Sequence, residues 1–124
     1  MEENKKLIML VDDSPANLRI GKNLLADKYI VATIPSAAKL FSLIEHNTPS
    51  LILLDVDMPE MNGYEAIKIL KDSENTKNIP VIFLTAHTEH AAEEKAFSLG
   101  AAAFISKPFH KEYLLDCIEE HIKK

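Results

Sequence analysis

At 124 residues the chain has room for one domain and not comfortably for two, and a hydrophobic fraction of 47% with 27% charged residues argues against disorder. A net charge of −5, with no basic run longer than the pairs Lys5-Lys6 and Lys123-Lys124, disfavours direct binding to nucleic acid, and the single Cys117 excludes an internal disulfide framework and fits a reducing compartment. No apolar stretch approaches a membrane span, and Met1-Glu2-Glu3-Asn4-Lys5-Lys6 lacks the apolar centre of a signal peptide, so a cytoplasmic location without membrane contact is the default expectation.

Leu7 to Val11 is an unbroken apolar run that leads into Asp12 and Asp13, which is the pattern of a strand buried on both faces. Ser14-Pro15 follows as a cap and first helical residue, with Leu18, Leu24 and Leu25 giving a partial inner face. Gly21 either weakens that helix or permits close packing on the sheet. Tyr29 to Thr33 is a weaker, mixed strand expected at an edge. Ser36 caps a second helix with Ala37, Leu40 and Ile44 inward, and Asn47-Thr48-Pro49 ends it.

Leu51 to Leu54 is a third buried strand and runs into Asp55. Val56-Asp57-Met58-Pro59-Glu60-Met61 and an Asn62-Gly63 turn follow, then a short helix over Tyr64 to Lys71 with Ala66, Ile67 and Leu70 inward. Ile79 to Leu84, interrupted early by Pro80, is the fourth strand and ends at Thr85. Thr88 caps a fourth helix lined by Ala92, Ala96 and Leu99 and closed by Gly100. Ala103 to Ile105 is a short fifth strand that ends at Ser106-Lys107-Pro108. The last helix starts near Lys111 with Leu114, Ile118 and Ile122 on one face.

Five strands alternating with five helices imply an α/β fold, a parallel sheet covered on both faces and wound by right-handed crossovers. No repeat, linker or low-complexity segment divides residues 1–124, which are expected to form one domain, whether complete or cut from something longer.

In such a sheet all strands point their carboxyl ends to one edge, where ligands bind. Asp12-Asp13, Asp55, Thr85 and Lys107 therefore converge from distant parts of the chain. Three carboxylates and one ammonium are not balanced: two like charges ~4 Å apart repel by about 4 kcal/mol at an effective dielectric of ~20. A hard divalent cation resolves this, and an oxygen-only set without Cys or His selects Mg²⁺ over zinc. Such a site leaves coordination positions for a phosphoryl group, and a carboxylate can itself be the nucleophile, giving an aspartyl phosphate. Lys107 would then stabilise charge on the transferring oxygens, and the Thr85 hydroxyl would hydrogen-bond one of them. Taken singly, each residue has a plainer role: an acid at a strand end is a solvated cap, Thr85 a strand terminator, Lys107 a surface charge and Phe104 simple core. His87 and His90 are three apart but lack further zinc ligands. His46, His110 and His121 are expected at the surface, and Cys117 is expected to be buried and inert.

Asp12-Asp13, Leu54-Asp55-Val56-Asp57-Met58-Pro59-Glu60-Met61-Asn62-Gly63, Leu84-Thr85-Ala86 and Lys107-Pro108-Phe109, in this order and at these strand ends, resemble a response-regulator receiver domain, the phosphoacceptor module of two-component signalling. The resemblance spans essentially the whole chain. It implies a doubly wound, flavodoxin-like sheet of order 2-1-3-4-5 and a phosphorylation-dependent switch, not an enzyme acting on an outside substrate. It implies Asp55 as the phosphoacceptor. Asp13 and the Asp55 carboxylate would bind Mg²⁺ directly, with Asp12 acting through water and Asp57 through its backbone carbonyl. It implies Thr85 as the switch hydroxyl, Lys107 as the phosphate-pairing lysine, Phe104 as the aromatic that turns inward, and a cis peptide at Pro108. The partners implied are a sensor histidine kinase or a histidine phosphotransfer protein, and an output domain or protein reading the surface of the fourth helix, fifth strand and fifth helix. A phosphorylation-dependent homodimer remains open, although Gly100-Ala101-Ala102-Ala103 lacks the acids of the salt-bridged dimer face in many DNA-binding members. The acid at Asp57, often uncharged in the family, and His87 bear on phosphate lifetime.

Other readings remain beside this one. Asp55-Val56-Asp57-Met58 resembles the Asp-x-Asp nucleophile motif of haloacid-dehalogenase-type phosphatases, but Pro59 and an acidic pair that precedes the nucleophile depart from it. A degenerate receiver would bind partners without being phosphorylated. A nucleotide- or flavin-binding domain would need a glycine-rich cradle that the loops after the first and third strands lack.

Overall fold

The computed structural model describes residues 5–86, 89–108 and 110–122. Within them the elements alternate as β1 (Leu7–Val11), α1 (Pro15–Leu25), β2 (Ile30–Ile34), α2 (Ala37–Ile44), β3 (Leu51–Asp55), α3 (Gly63–Lys71), β4 (Val81–Thr85), α4 (His90–Ser98), β5 (Ala103–Ser106) and α5 (Lys111–His121). The five strands form one parallel sheet in the order β2-β1-β3-β4-β5, as the resemblance implied.

The reason for the layering is the period of two along each strand. On one face Met9, Val11, Ile52, Leu54, Val81 and Phe83 pack with Ala37 and Leu40 of α2, Ala66, Ile67 and Leu70 of α3, and Ala96 of α4. On the other, Ile8, Leu10, Leu51, Leu53, Ile82, Leu84 and Ile105 pack with Leu25 of α1 and with Leu114 and Ile118 of α5. β3 sits in the middle of the sheet, and all five of its residues are buried. β2 is an edge strand as expected, shifted one residue to Ile30–Ile34.

Local chemistry sets the boundaries. Ser14 accepts from the Asn17 N–H at 3.3 Å, and Ser36 from the Lys39 N–H at 3.1 Å, so both expected caps form. Gly21 serves close packing: a Cβ there would lie 2.6 Å from Leu10 Cδ2. β4 begins at Val81, two residues later than expected, after the proline that has no N–H to give to a ladder. The Asn62-Gly63 pair is not a hairpin-like turn. Asn62 is the N-cap of α3, with a reciprocal pair of bonds to Glu65, both at 2.9 Å. α4 opens at Glu89 without a side-chain cap, and the expected cap Thr88 lies outside the described residues, as do His87, Phe109, Lys123 and Lys124. At its other end α4 closes as expected on Gly100, at φ +105°. There the Ala101 N–H reaches the Ala96 carbonyl at 3.1 Å and the Gly100 N–H reaches Phe97 at 3.0 Å. Cys117 is only partly buried, and that burial, with Glu120 nearby, raises its thiol pKa above the ordinary value. No helix among the described residues is long and apolar enough to cross a membrane.

Candidate functional site

The carboxyl edge of the sheet carries the polar residues that the strand pattern placed there. β1 delivers Asp12, whose N–H is held by the Ile34 carbonyl of β2 at 3.0 Å. β3 delivers Asp55 as its last residue, in register with Leu84 of β4. β4 delivers Thr85, paired with Ser106 of β5, and the Thr85 carbonyl accepts from the Lys107 N–H at 2.8 Å. The Lys107-Pro108 peptide is cis, as expected.

Asp12 and Asp55 are buried, at 2% and 6% exposure, while Asp13 is exposed. Between the two buried acids stands one cation. Lys107 Nζ donates to Asp12 Oδ2 at 2.7 Å and to Asp55 Oδ1 at 3.2 Å. The other Asp12 oxygen accepts from the Ser14 N–H at 2.9 Å, so Asp12 both serves the site and steadies the entry to α1. Asp12, Asp13 and Asp55 each offer a carboxylate oxygen, and these lie within 4.8 Å of one another.

The electrostatics follow from this crowding. Burial pushes the Asp55 pKa up, the Asp12 charge pushes it further, and Lys107 only partly offsets them, leaving it at about 6 against an ordinary 3.8. Burial works to lower the Lys107 pKa, but its hydrogen bond to Asp12 and the charges of Asp55 and Asp12 outweigh that, and the net shift is upward. Lys107 is therefore a fixed positive charge. Among the described residues, one ammonium and three carboxylates leave a net negative cleft whose candidate ligands are all oxygens. That donor set fits a hard divalent cation of the Mg²⁺ type.

The remaining expected residues are placed as follows. Thr85 is fully buried. Asp57 is exposed, two residues beyond Asp55. Phe104 of β5 is half-buried, in register with Phe83, and packs against the core beneath α4.

Two features of the site were not read from the sequence. The first is the intimacy of the α3 start with Asp55. The Gly63 N–H donates to the Val56 carbonyl at 2.8 Å, and a Cβ on Gly63 would collide with the Asp55 carbonyl oxygen and lie 2.9 Å from the Phe83 ring. The second is the turn that leads into it. Glu60 has φ +71°, and the Met61 N–H bonds back to the Pro59 carbonyl at 2.7 Å, a γ-turn of the strained hand. The Asn62-x-x-Glu65 spacing is a signal that could have found the cap; no sequence signal marks Glu60.

The chain matches known proteins along nearly its whole length. The family model "Response regulator receiver domain" matches residues 8–119. A probable cyclic di-GMP phosphodiesterase of Vibrio cholerae is 35% identical over 116 residues, covering 94% of this chain but only 26% of that protein. The polar-differentiation response regulator DivK of Brucella ovis is 33% identical over 118 residues, covering 94% of this chain and 96% of DivK. Among solved structures, the receiver domain of the sensor histidine kinase PA1611 from Pseudomonas aeruginosa, with a magnesium ion coordinated in its active-site cleft, superposes with a TM-score of 0.87. It is 25% identical and covers 95% of this chain and 98% of that one. The chain thus spans about a quarter of one relative and nearly all of another. With the 2-1-3-4-5 sheet and an acidic cleft at its carboxyl edge, the chain belongs to the response regulator receiver domain family, the phosphoacceptor switches of two-component signalling.

Proposed function

We propose that residues 1–124 form one receiver domain that takes a phosphoryl group onto Asp55 from the phosphohistidine of a sensor histidine kinase or a histidine phosphotransfer protein. The observation that carries this reading is the Lys107 ammonium held between Asp12 at 2.7 Å and Asp55 at 3.2 Å, with Asp13 completing the acidic cluster.

With a pKa of about 6, the Asp55 carboxylate is largely ionised at neutral pH and available as nucleophile. Its oxygen attacks phosphorus, the O–P bond forms as the N–P bond to the donor imidazole breaks, and the imidazole leaves with the bonding pair. Lys107 already hydrogen-bonds Asp55 and stabilises the charge that gathers on the transferring oxygens. The Thr85 hydroxyl, on the next strand, donates to a phosphoryl oxygen. Asp12, Asp13, Asp55 and the Asp57 backbone carbonyl are the groups that would hold Mg²⁺. When bound, that ion supplies the positive charge that three carboxylates and a phosphoryl group require. The ion seen in the PA1611 receiver supports the assignment.

The acyl phosphate carries about −1.5 to −2 charge in place of the carboxylate's −1, so the cleft becomes more negative by about half to one unit. Thr85 moves toward it, Phe104 takes the space released, and the surface of α4, β5 and α5 changes for an output domain or protein partner. Both arrangements occur among relatives, a receiver within a longer protein and one that is nearly the whole protein. The chain acts in the cytoplasm, without membrane contact or direct nucleic-acid binding. It turns over no outside substrate beyond its own phosphorylation and dephosphorylation.

Intact mass after incubation with a small acyl phosphate, with and without Mg²⁺, tests the assignment in the native chain and in Asp55→Asn. One metal-dependent phosphoryl adduct, lost in the variant, is the expected result. A folded chain that never gains the adduct is a degenerate receiver acting by binding alone. Steady phosphate release from an added phosphate ester would instead establish phosphatase chemistry. A homodimer that appears only with the adduct would place the partner surface between copies of the chain.

A further inference from the structure

Of the five helices, α4 buries the fewest residues. Of its nine residues only Ala96 is buried, its N-cap Glu89 makes no side-chain cap bond, and Phe97 is 46% exposed. A helix this short is not stable by propensity and depends on tertiary anchors. Besides its contacts with β5, α4 has two anchors that come from α3.

The first is Tyr64, in the opening turn of α3. Its ring packs edge-on against Phe83 of β4, with centroids 5.6 Å apart and planes at 66°. Its hydroxyl lies 3.5 Å from the Ala92 carbonyl of α4, and the Lys95 ammonium of α4 sits 4.5 Å from the ring centroid. Tyr64 is also tied to the acceptor strand. Its neighbour Gly63 bonds the Val56 carbonyl and lies too close to the Asp55 carbonyl to admit a Cβ. The tyrosine therefore follows the end of β3, while the residues over it belong to α4.

The second anchor lies at the other end of the helix. Gly100, at φ +105°, packs against the stem of Lys71, 3.4 Å from a Cβ built on the glycine to Lys71 Cγ and Cε. The Lys71 ammonium is fastened to the Lys77 and Ile79 carbonyls at 3.1 and 3.2 Å. This contact is far from the acidic cleft in the chain's layout, at the amino edge of the sheet where β4 begins.

We propose that Tyr64 and Lys95 form a releasable latch that couples the orientation of α4 to the phosphorylation of Asp55, with the Lys71–Gly100 contact as the pivot. Lys95 is a flexible cation resting on an aromatic face, an interaction that at an exposed site changes an equilibrium by about two- to fivefold. Phosphorylation replaces the −1 of the Asp55 carboxylate with about −1.5 to −2, and this net gain of about half to one negative charge competes for that cation. The Tyr64 hydroxyl already lies in the field of Asp57 and Glu89, so the new charge joins a negative region on the same side. Lys95 leaves the ring, the near end of α4 is freed, and the far end stays pinned. This route runs through α3 and is separate from the Thr85–Phe104 pair. Its second half rests on Asp55 being the phosphoacceptor; its first half does not.

Hydrogen exchange of the α4 amides tests both halves, in the full chain, without donor and with a small acyl phosphate plus Mg²⁺, the adduct being quantified by intact mass. Without donor, Lys95→Met speeds α4 exchange about two- to fivefold and leaves β1 and β3 unchanged, Lys95→Arg behaves as the native chain, and Tyr64→Leu acts in the same direction as Lys95→Met. With the adduct in place, native α4 exchanges faster and Lys95→Met shows little further change. Unchanged α4 exchange in Lys95→Met without donor overturns the latch. A phosphorylation response of equal size in the native chain and Lys95→Met overturns the coupling. No adduct on the folded native chain overturns the coupling and the phosphoacceptor reading together, while the donor-free comparison still decides the latch.

Discussion

α3 and α4 are both nine residues long and cover the same face of the sheet, yet they are built to opposite ends. α3 has a capping box, four buried residues, and Lys68 and Lys71 in the turn where the helix dipole is negative. α4 has no side-chain cap bond and one buried residue. The difference follows their positions. α3 grows directly out of the loop that follows Asp55, so any looseness there would blur Asp55 against Asp12 and Lys107. α4 carries no residue of the acidic cluster. Anchoring is concentrated beside the acidic cluster, and the helix that contributes nothing to it is buried least.

The largest expected effect tests that contrast head-on. Ile67→Ala in α3 empties a fully buried site and costs about 3 kcal/mol, whereas Phe97→Ala in α4 removes a half-exposed ring and changes stability by less than about 0.5 kcal/mol. Urea unfolding of the two variants measures both. Comparable losses would mean that α4 is as firmly packed as α3.

How much of this was legible in the sequence differs between the two helices. The inner faces of α3 and α5, the buried strands and the polar strand ends followed from apolar runs and helical spacing, because those signals are local. The convergence of Asp12, Asp55, Thr85 and Lys107 followed from topology, since parallel strands share one carboxyl edge. Other features have no local signature. Gly63 reads as half of a turn until the Asp55 carbonyl is beside it. Tyr64 and Lys95 are 31 positions apart and meet only because two helices pack. The expected positions of the cis peptide and of Phe104 came from likeness to a family. The chain bears out the first, and the switching role of the second awaits experiment.

The next effect is smaller and depends on pH. Burial at the end of β3, with the Asp12 charge beside it, raises the folded pKa of Asp55 to about 6 against 3.8 ordinarily. A carboxyl group whose folded pKa is raised favours the folded state when protonated. Its stabilisation is full below pH ~4 and is lost as pH rises through about 6. In metal-free protein, Asp55→Asn is therefore more stable than the native chain by about 1–3 kcal/mol at pH 7. The two converge below pH ~4. Thermal unfolding in chelator across that range measures the gap. Added Mg²⁺ stabilises the native chain more than the variant, and removing it restores the difference. A variant no more stable at pH 7 would show that Asp55 relaxes its charge by moving, and that α3 holds it less rigidly than its packing indicates.

The smallest effect concerns the two residues that, among those described, take a positive φ. On the α4 side it is Gly100, which adopts that backbone without steric cost. On the α3 side it is Glu60, whose Cβ makes the same kind of backbone unfavourable by about 1–2 kcal/mol. Met58, 7% exposed before the turn, and the Asn62 cap after it fix both ends of the segment, so Glu60 has no freedom to leave the strained region. Glu60→Gly relieves that strain, but it also gives the unfolded chain about 0.4–1 kcal/mol more entropy to lose. The net is a stabilisation of about 0.5–1 kcal/mol, read as a higher urea midpoint at unchanged slope. The variant should keep its phosphoryl adduct while the loop, no longer held by a side chain's steric limits, exchanges its amides faster. A lower midpoint would mean that the turn rests comfortably as it is, and that α3 imposes no strain on the loop that joins it to Asp55.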